Sequence, residues 1–194
     1  MTIAFLFILL FALMLIGVPV AVSLGTSTVL TMIFFTDIDI ATIPQLIFDG
    51  INKFSLMAIP MFILAGNLLS KGGSARRIID FAKSMVGHLP GGLPMSAIFA
   101  CIIFAAVSGS SPATVVAIGS IMFVAIKEAG YPKEYAVGGI TTAGSLGILI
   151  PPSVVMIVYG VTAEVSIGKL FMAGVIPGLM LGAFMLVQTY VGAK

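Results

Sequence analysis

Residues 94–126 read PMSAIFACIIFAAVSGSSPATVVAIGSIMFVAI and carry no charged side chain. One run of small and polar residues interrupts them: Ser108-Gly109-Ser110-Ser111-Pro112. The arms on either side, 94–107 and 113–126, hold about 14 residues each, so as helices each reaches ~21 Å, short of the ~30 Å of a hydrocarbon core. The spacing therefore predicts a re-entrant helical hairpin with its tip inside the membrane. The competing reading is two short spans joined by a small-residue turn. Three hydroxyls and a glycine at such a tip are hard-oxygen ligands for a small cation. Pro112 lacks an N–H, so the Ser108 carbonyl loses its usual helix partner, and proline suits the first turn of the returning helix. The free N–H groups that follow favour a carboxylate.

The same apolar character extends outward. Of 194 residues, 60% are hydrophobic and 8% charged, against about a quarter charged in a soluble domain. So few charges cannot coat a globular surface, and the chain reads as an all-α integral membrane protein facing lipid. The net charge of +2 is spread over several loops and makes no phosphate-binding face, which argues against nucleic acid. Cys101 gives neither disulfide nor metal cluster and reads as a small core residue. His88 has no Cys or carboxylate at ligand spacing and reads as a loop residue near the membrane surface. The N-terminus is apolar from Ile3 and lacks the positive start of a secretory signal, so it reads as a retained membrane segment.

Polar punctuation divides the remainder. Residues 2–35 as one helix would span ~50 Å, and the Gly17-Val18-Pro19 step favours two short crossings. Residues 36–55, with Asp37, Asp39, Asp49 and Lys53, read as a loop. Residues 56–70 span with help from 51–55, 161–169 form a short loop, and 170–190 span again. Lys71, Arg76, Arg77, Lys83, Lys127, Lys133 and Lys194 gather in three loops or ends, which the positive-inside rule puts in the cytoplasm. Within 71–93, Ser74 is a candidate N-cap. Ala75, Ile78, Ile79, Ala82, Met85, Val86 and Leu89 make one face of a helix, and Arg76, Arg77, Asp80, Lys83 and Ser84 the other. That is an amphipathic helix in the cytoplasmic interface, acting as a lever between parts or as a surface anchor.

A second break lies at 144–152, GSLGILIPP. Pro151 and Pro152 remove the partners of the Gly147 and Ile148 carbonyls, and Gly144 and Gly147 loosen the stretch. Thr141, Thr142 and Ser145 add hydroxyls. Unwound carbonyls with nearby hydroxyls suit a sodium site in a secondary transporter; a filled proline kink is the plainer alternative. Pro19, Pro60 and Pro177 lack polar clusters and read as ordinary kinks. No span carries an acid or base well inside it, so neutral oxygens holding sodium fit better than a proton relay. An intramembrane enzyme would need a nucleophile and base or a metal set, and no His, Asp or Glu lies within a span to serve.

AAVSGSSPATVVAIGSIM at 105–122, AGSLGILIPPSVVMIVYG at 143–160 and SIGKLFMAGVIPGLML at 166–181 resemble the large membrane subunit of TRAP transporters, the DctM-like proteins. AIPMFILAGNLLSKGG at 58–73 and VGHLPGG at 86–92 are similar to the same family. The resemblance covers essentially the whole chain in order and corresponds to the family's N-terminal half. It implies one inverted repeat of an elevator-type, sodium-driven importer in the bacterial inner membrane. Such an importer works with a small membrane subunit and an extracytoplasmic binding protein that delivers an organic acid, with Na+ as coupling ion and no other cofactor.

The resemblance further implies a sodium site from Ser108, Gly109, Ser111, Gly144, Gly147, Ile148 and Pro151. Ser110, Ser111, Pro112, Ala113, Pro152 and Ser153 would wall the substrate site. Residues 1–70 would be scaffold, 71–93 an arm, 94–160 the hairpin and broken helix of the transport domain, and 161–194 an outer loop and final span. Family members run to about twice this length, the second half repeating the first upside down. No internal repeat is visible here, so a fragment, a truncated product or a half that pairs with another chain is expected. Two other classes compete: an elevator carrier working without a binding protein, and a non-transporting membrane assembly partner.

Overall fold

The computed structural model describes residues 2–36 and 41–193. Asp37, Asp39 and Lys194, on which part of the charge reading fell, lie outside them. The described residues form helices and turns without a strand. The chain divides into two compact units, at Lys53 and Phe54.

In the first unit, residues 2–35 do form two helices, α1 (Thr2–Leu15) and α2 (Val20–Phe35). Gly17, at φ +91°, ends α1: its N–H bonds the Met14 carbonyl at 3.0 Å and the Val18 N–H bonds Leu13 at 3.1 Å. That pairing is a Schellman stop, which needs the left-handed conformation glycine accepts. Phe5 of α1 meets Phe34 and Phe35 of α2 with ring centroids 6.3 and 5.0 Å apart, so the two helices run antiparallel. Ser23, Ser27 and Thr31 lie buried at helical spacing and bond backbone carbonyls of Val18, Leu24 and Ser27. The expected loop at 36–55 instead contains α3 (Thr42–Ile51). Ile43, Leu46, Ile47 and Ile51 recur at helical spacing there, a pattern masked by reading the segment through its acids.

The second unit is built around α6 (Gly92–Ser108). A 3-10 turn at Phe54–Met57 leads into α4 (Ala58–Lys71), then α5 (Ser74–Val86); α7 (Ser111–Glu128), α8 (Lys133–Gly144), the short α9 (Leu146–Leu149), α10 (Val154–Thr162) and α11 (Ile167–Gly192) follow α6. Phe104, Ile118, Met122, Ile126 and Leu146 fill the core. Outward, α4 and α11 expose Met61, Leu68, Met172, Ile176 and Phe184. Large apolar side chains on the outside suit a chain surrounded by lipid. Phe54–Lys71, Ser111–Glu128 and Ile167–Gly192 are long and apolar enough to cross a membrane. Lys133–Leu149 with Val154–Thr162, bent by 43°, is a broken span or a re-entrant loop.

α5 is amphipathic as expected. Ala75, Ile79 and Ala82 are buried and Arg76, Arg77, Asp80 and Ser84 exposed. Ser74 does not cap it. Gly73, at φ +78°, takes the N-cap position without a side-chain bond, and Ser74 opens the helix. The buried stripe packs on α6, while Phe81 and Met85 stay half exposed on its flank. The hairpin arms are longer than 14 residues, 17 in α6 and 18 in α7. A re-entrant reading therefore rests on the basic residues in both flanking loops rather than on arm length. Pro60 sits in the first turn of α4, Pro177 lies inside an unbroken α11, and Pro19 is the N-cap of α2 rather than a kink. The loop at 161–169 shrinks to four residues between α10 and α11.

Candidate functional site

The two sequence breaks meet. At the first, Gly109 is the C-cap of α6 at φ +62° and Ser110 the N-cap of α7, its hydroxyl accepting from the Ala113 N–H at 3.5 Å. Pro112 falls in the first turn of α7, as expected. At the second, α9 ends at Leu149, residues 150–153 run without helix, and Ser153 caps α10 by accepting from Met156 N–H at 3.4 Å. The Val154 N–H then donates to the Gly109 carbonyl at 3.1 Å. A backbone group left over at one break is satisfied by the other, as buried backbone polar groups require.

Glycines permit this approach. A Cβ on Gly109 would lie 2.6 Å from the Pro152 carbonyl oxygen. One on Gly147 would lie 2.8 Å from the Ser111 nitrogen and 2.9 Å from the Ser110 carbonyl carbon. One on Gly144 would collide with the Val115 side chain. Among the residues singled out from sequence, Ser108, Gly109, Gly144, Gly147 and Ser153 are buried, and Ser110, Ser111, Ala113, Pro151 and Pro152 half-buried. Pro112 and Ile148 are exposed. Gly109, Ser110 and Ser111 thus face Gly144, Gly147, Pro152 and Ser153. Thr141 and Thr142, one turn earlier, are exposed, and the Thr142 hydroxyl bonds the Gly138 carbonyl at 2.8 Å.

Two groups of residues escaped the sequence reading. Thr114 is fully buried; its hydroxyl lies 3.0 Å from the Ser108 hydroxyl and donates to the Ser110 carbonyl at 2.9 Å. It closes a ring of neutral oxygens across the tip. Its signal was its place in the first turn after Pro112. The other group lies on α4. A cavity of about 370 Å³ is lined by Gly66, Asn67 and Ser70 together with Ser108, Ser110 and Pro112. A Cβ on Gly66 would touch Ser108 at 3.5 Å, so α4 passes directly over the tip. Asn67 is an amide inside an apolar span, a signal that could have been read. The cluster offers neutral oxygens and N–H donors, groups suited to a cation of low charge density and to an anion.

Several apolar helices, one of them broken, and a pair of abutting breaks define a multi-pass membrane protein with a built polar site. Residues 7–194 match the family described as the tripartite ATP-independent periplasmic transporter, DctM component, and the chain belongs to that family. The family is one of transporters, not enzymes. The chain is similar to the C4-dicarboxylate TRAP transporter large permease protein DctM of Rhodobacter capsulatus, 52% identical over 96% of this chain and 46% of that protein. The protein so named in Vibrio cholerae is 49% identical over 100% of this chain and 43% of its own length. The isethionate TRAP transporter permease protein DctMQ of Oleidesulfovibrio alaskensis is 45% identical over 93% and 28%. The chain spans about half the length of the two DctM relatives.

Proposed function

We propose that this chain supplies the front half of the large membrane subunit of a sodium-coupled TRAP transporter. The transporter imports an organic acid, such as a C4-dicarboxylate, across a bacterial inner membrane. The observation that carries the reading is the Val154 N–H to Gly109 carbonyl bond, because it joins a helical hairpin tip to a broken helix and leaves hydroxyls and carbonyls around both. Sodium sits among Ser108, Gly109, Ser111, Gly144, Gly147, Ile148 and Pro151, with the ring around Thr114 bracing the tip. The carboxylate meets Ser110, Ser111, Pro112, Ala113, Pro152 and Ser153, where the opening turns of α7 and α10 present N–H groups. Residues 94–160 move as the transport domain of an elevator, and 161–194 close it with an outer loop and a span. The α6–α7 hairpin is re-entrant, both its ends facing the cytoplasm. Residues 1–70 act as scaffold against a small membrane subunit, and 71–93 as the arm between scaffold and moving part.

Energy comes from the sodium gradient, and substrate from a periplasmic binding protein. The names of the C4-dicarboxylate relatives favour a carboxylate. Uptake of labelled succinate by cells with and without the binding protein tests the arrangement. Loss of uptake without it is expected. Full uptake without it would favour a carrier that works alone, and absence of sodium-stimulated uptake in both would favour an assembly partner.

A further inference from the structure

The cavity beside the tip has a wall that neither break provides. Asn67 and Ser70 reach it from α4, one helical turn apart, opposite Ser108 and Ser110. Asn67 lies within the apolar span Phe54–Lys71, its side chain exposed at the rim of the cavity and not hydrogen-bonded to another described residue. An amide in such a span is costly unless a partner meets it. Inside the cavity the available partners are neutral and no carboxylate lines it. Another cavity, about 380 Å³ between α6, α8 and α11, carries the acidic Glu134 and suits an anion less well. A volume of ~300 Å³ or more is that of a small-molecule pocket.

We infer that the Asn67 side-chain amide is a third contact to the transported carboxylate, donating an N–H to it from α4 while Ser110 faces it from the tip. The inference rests on the transporter reading above and adds to it a residue from outside both breaks. Asn67 is then a specificity-determining residue: a planar amide at this point rewards a substrate oxygen, and an apolar side chain does not. Sodium affinity stays with the breaks and is independent of it.

The test uses the complete transporter, with its companion subunits, in membrane vesicles. Asn67→Cys and Ser110→Cys are labelled with a membrane-impermeant thiol reagent. The native Cys101, fully buried, reports folding, since it reacts only after denaturation. Both introduced thiols are expected to react, and succinate is expected to slow both, in sodium and not in potassium. If Ser110→Cys is protected and Asn67→Cys is unprotected or unreactive, the role of α4 is overturned and the transporter reading stands. If neither is protected, both fall. Because a cysteine also removes the amide, Asn67→Leu and Asn67→Gln are assayed for uptake. Asn67→Leu is expected to raise KM for succinate about tenfold, the scale of one lost hydrogen bond to a charge, with the sodium half-saturation unchanged and partial rescue in Asn67→Gln. An unchanged KM in Asn67→Leu would overturn the inference.

Discussion

The Val154 N–H donates to the Gly109 carbonyl across 3.1 Å, and with that bond two interruptions, joined by residues 45 apart in sequence, become one structure. Both residues sit where a helix restarts or stops, so neither group has a helical partner of its own. Removing the donor is the direct perturbation. Val154→Pro deletes the N–H at the first position of α10, where proline is otherwise tolerated. It is expected to leave α10 helical and to lower the melting temperature of the detergent-solubilised protein, by about 1–3 kcal/mol of stability for a buried orphaned carbonyl. An unchanged melting temperature would mean that the bond is incidental.

Gly147 packs where a Cβ would approach the Ser111 nitrogen within 2.8 Å. The obstacle is backbone, which cannot rotate away. Gly147→Ala is expected to force the breaks apart, costing about 1–3 kcal/mol and abolishing sodium-stimulated uptake at normal membrane abundance. Gly138→Ala, with open space around it, is the control and keeps its uptake.

Ser108 and Thr114 share one hydrogen bond, 3.0 Å long and fully buried. Each single alanine variant strands the other hydroxyl in part, since Thr114 retains the Ser110 carbonyl. A double-mutant cycle read by denaturant unfolding is expected to return a coupling of at least about 0.5 kcal/mol. Strict additivity would remove the ring from the account.

The proposed topology puts the basic face of α5 in the cytoplasm. Ser84 is exposed among Arg77, Asp80 and Lys83. Ser84→Cys is expected to react with an impermeant reagent in inverted vesicles and not in right-side-out ones. The reverse pattern would turn the proposed topology over.

The sequence exposed its interruptions well and its neighbours across space poorly. Gly17-Val18-Pro19 and SGSSP carry their own punctuation, because proline and glycine alter the backbone wherever they stand. α5 was legible from its alternating faces. The helix at Thr42–Ile51 was hidden because Asp49 and the nearby acids drew the eye from its apolar spacing. Gly73 took the cap position from Ser74 through backbone conformation, which composition does not display. Asn67 and Thr114 gain meaning only once α4 lies over Ser108, a tertiary fact. The substrate is not written in the helices, as relatives named for C4-dicarboxylate and for isethionate share this half.

Sodium coupling through the joined breaks is the central claim, and one measurement addresses it most directly. The whole transporter is reconstituted in proteoliposomes with its binding protein and labelled succinate, and uptake is driven by an inward sodium gradient or by a proton gradient without sodium. The account predicts accumulation with sodium alone, abolished in Gly109→Val, whose side chain would strike the Pro152 carbonyl. Equal accumulation on a proton gradient, or undiminished sodium-driven uptake in Gly109→Val, would contradict it.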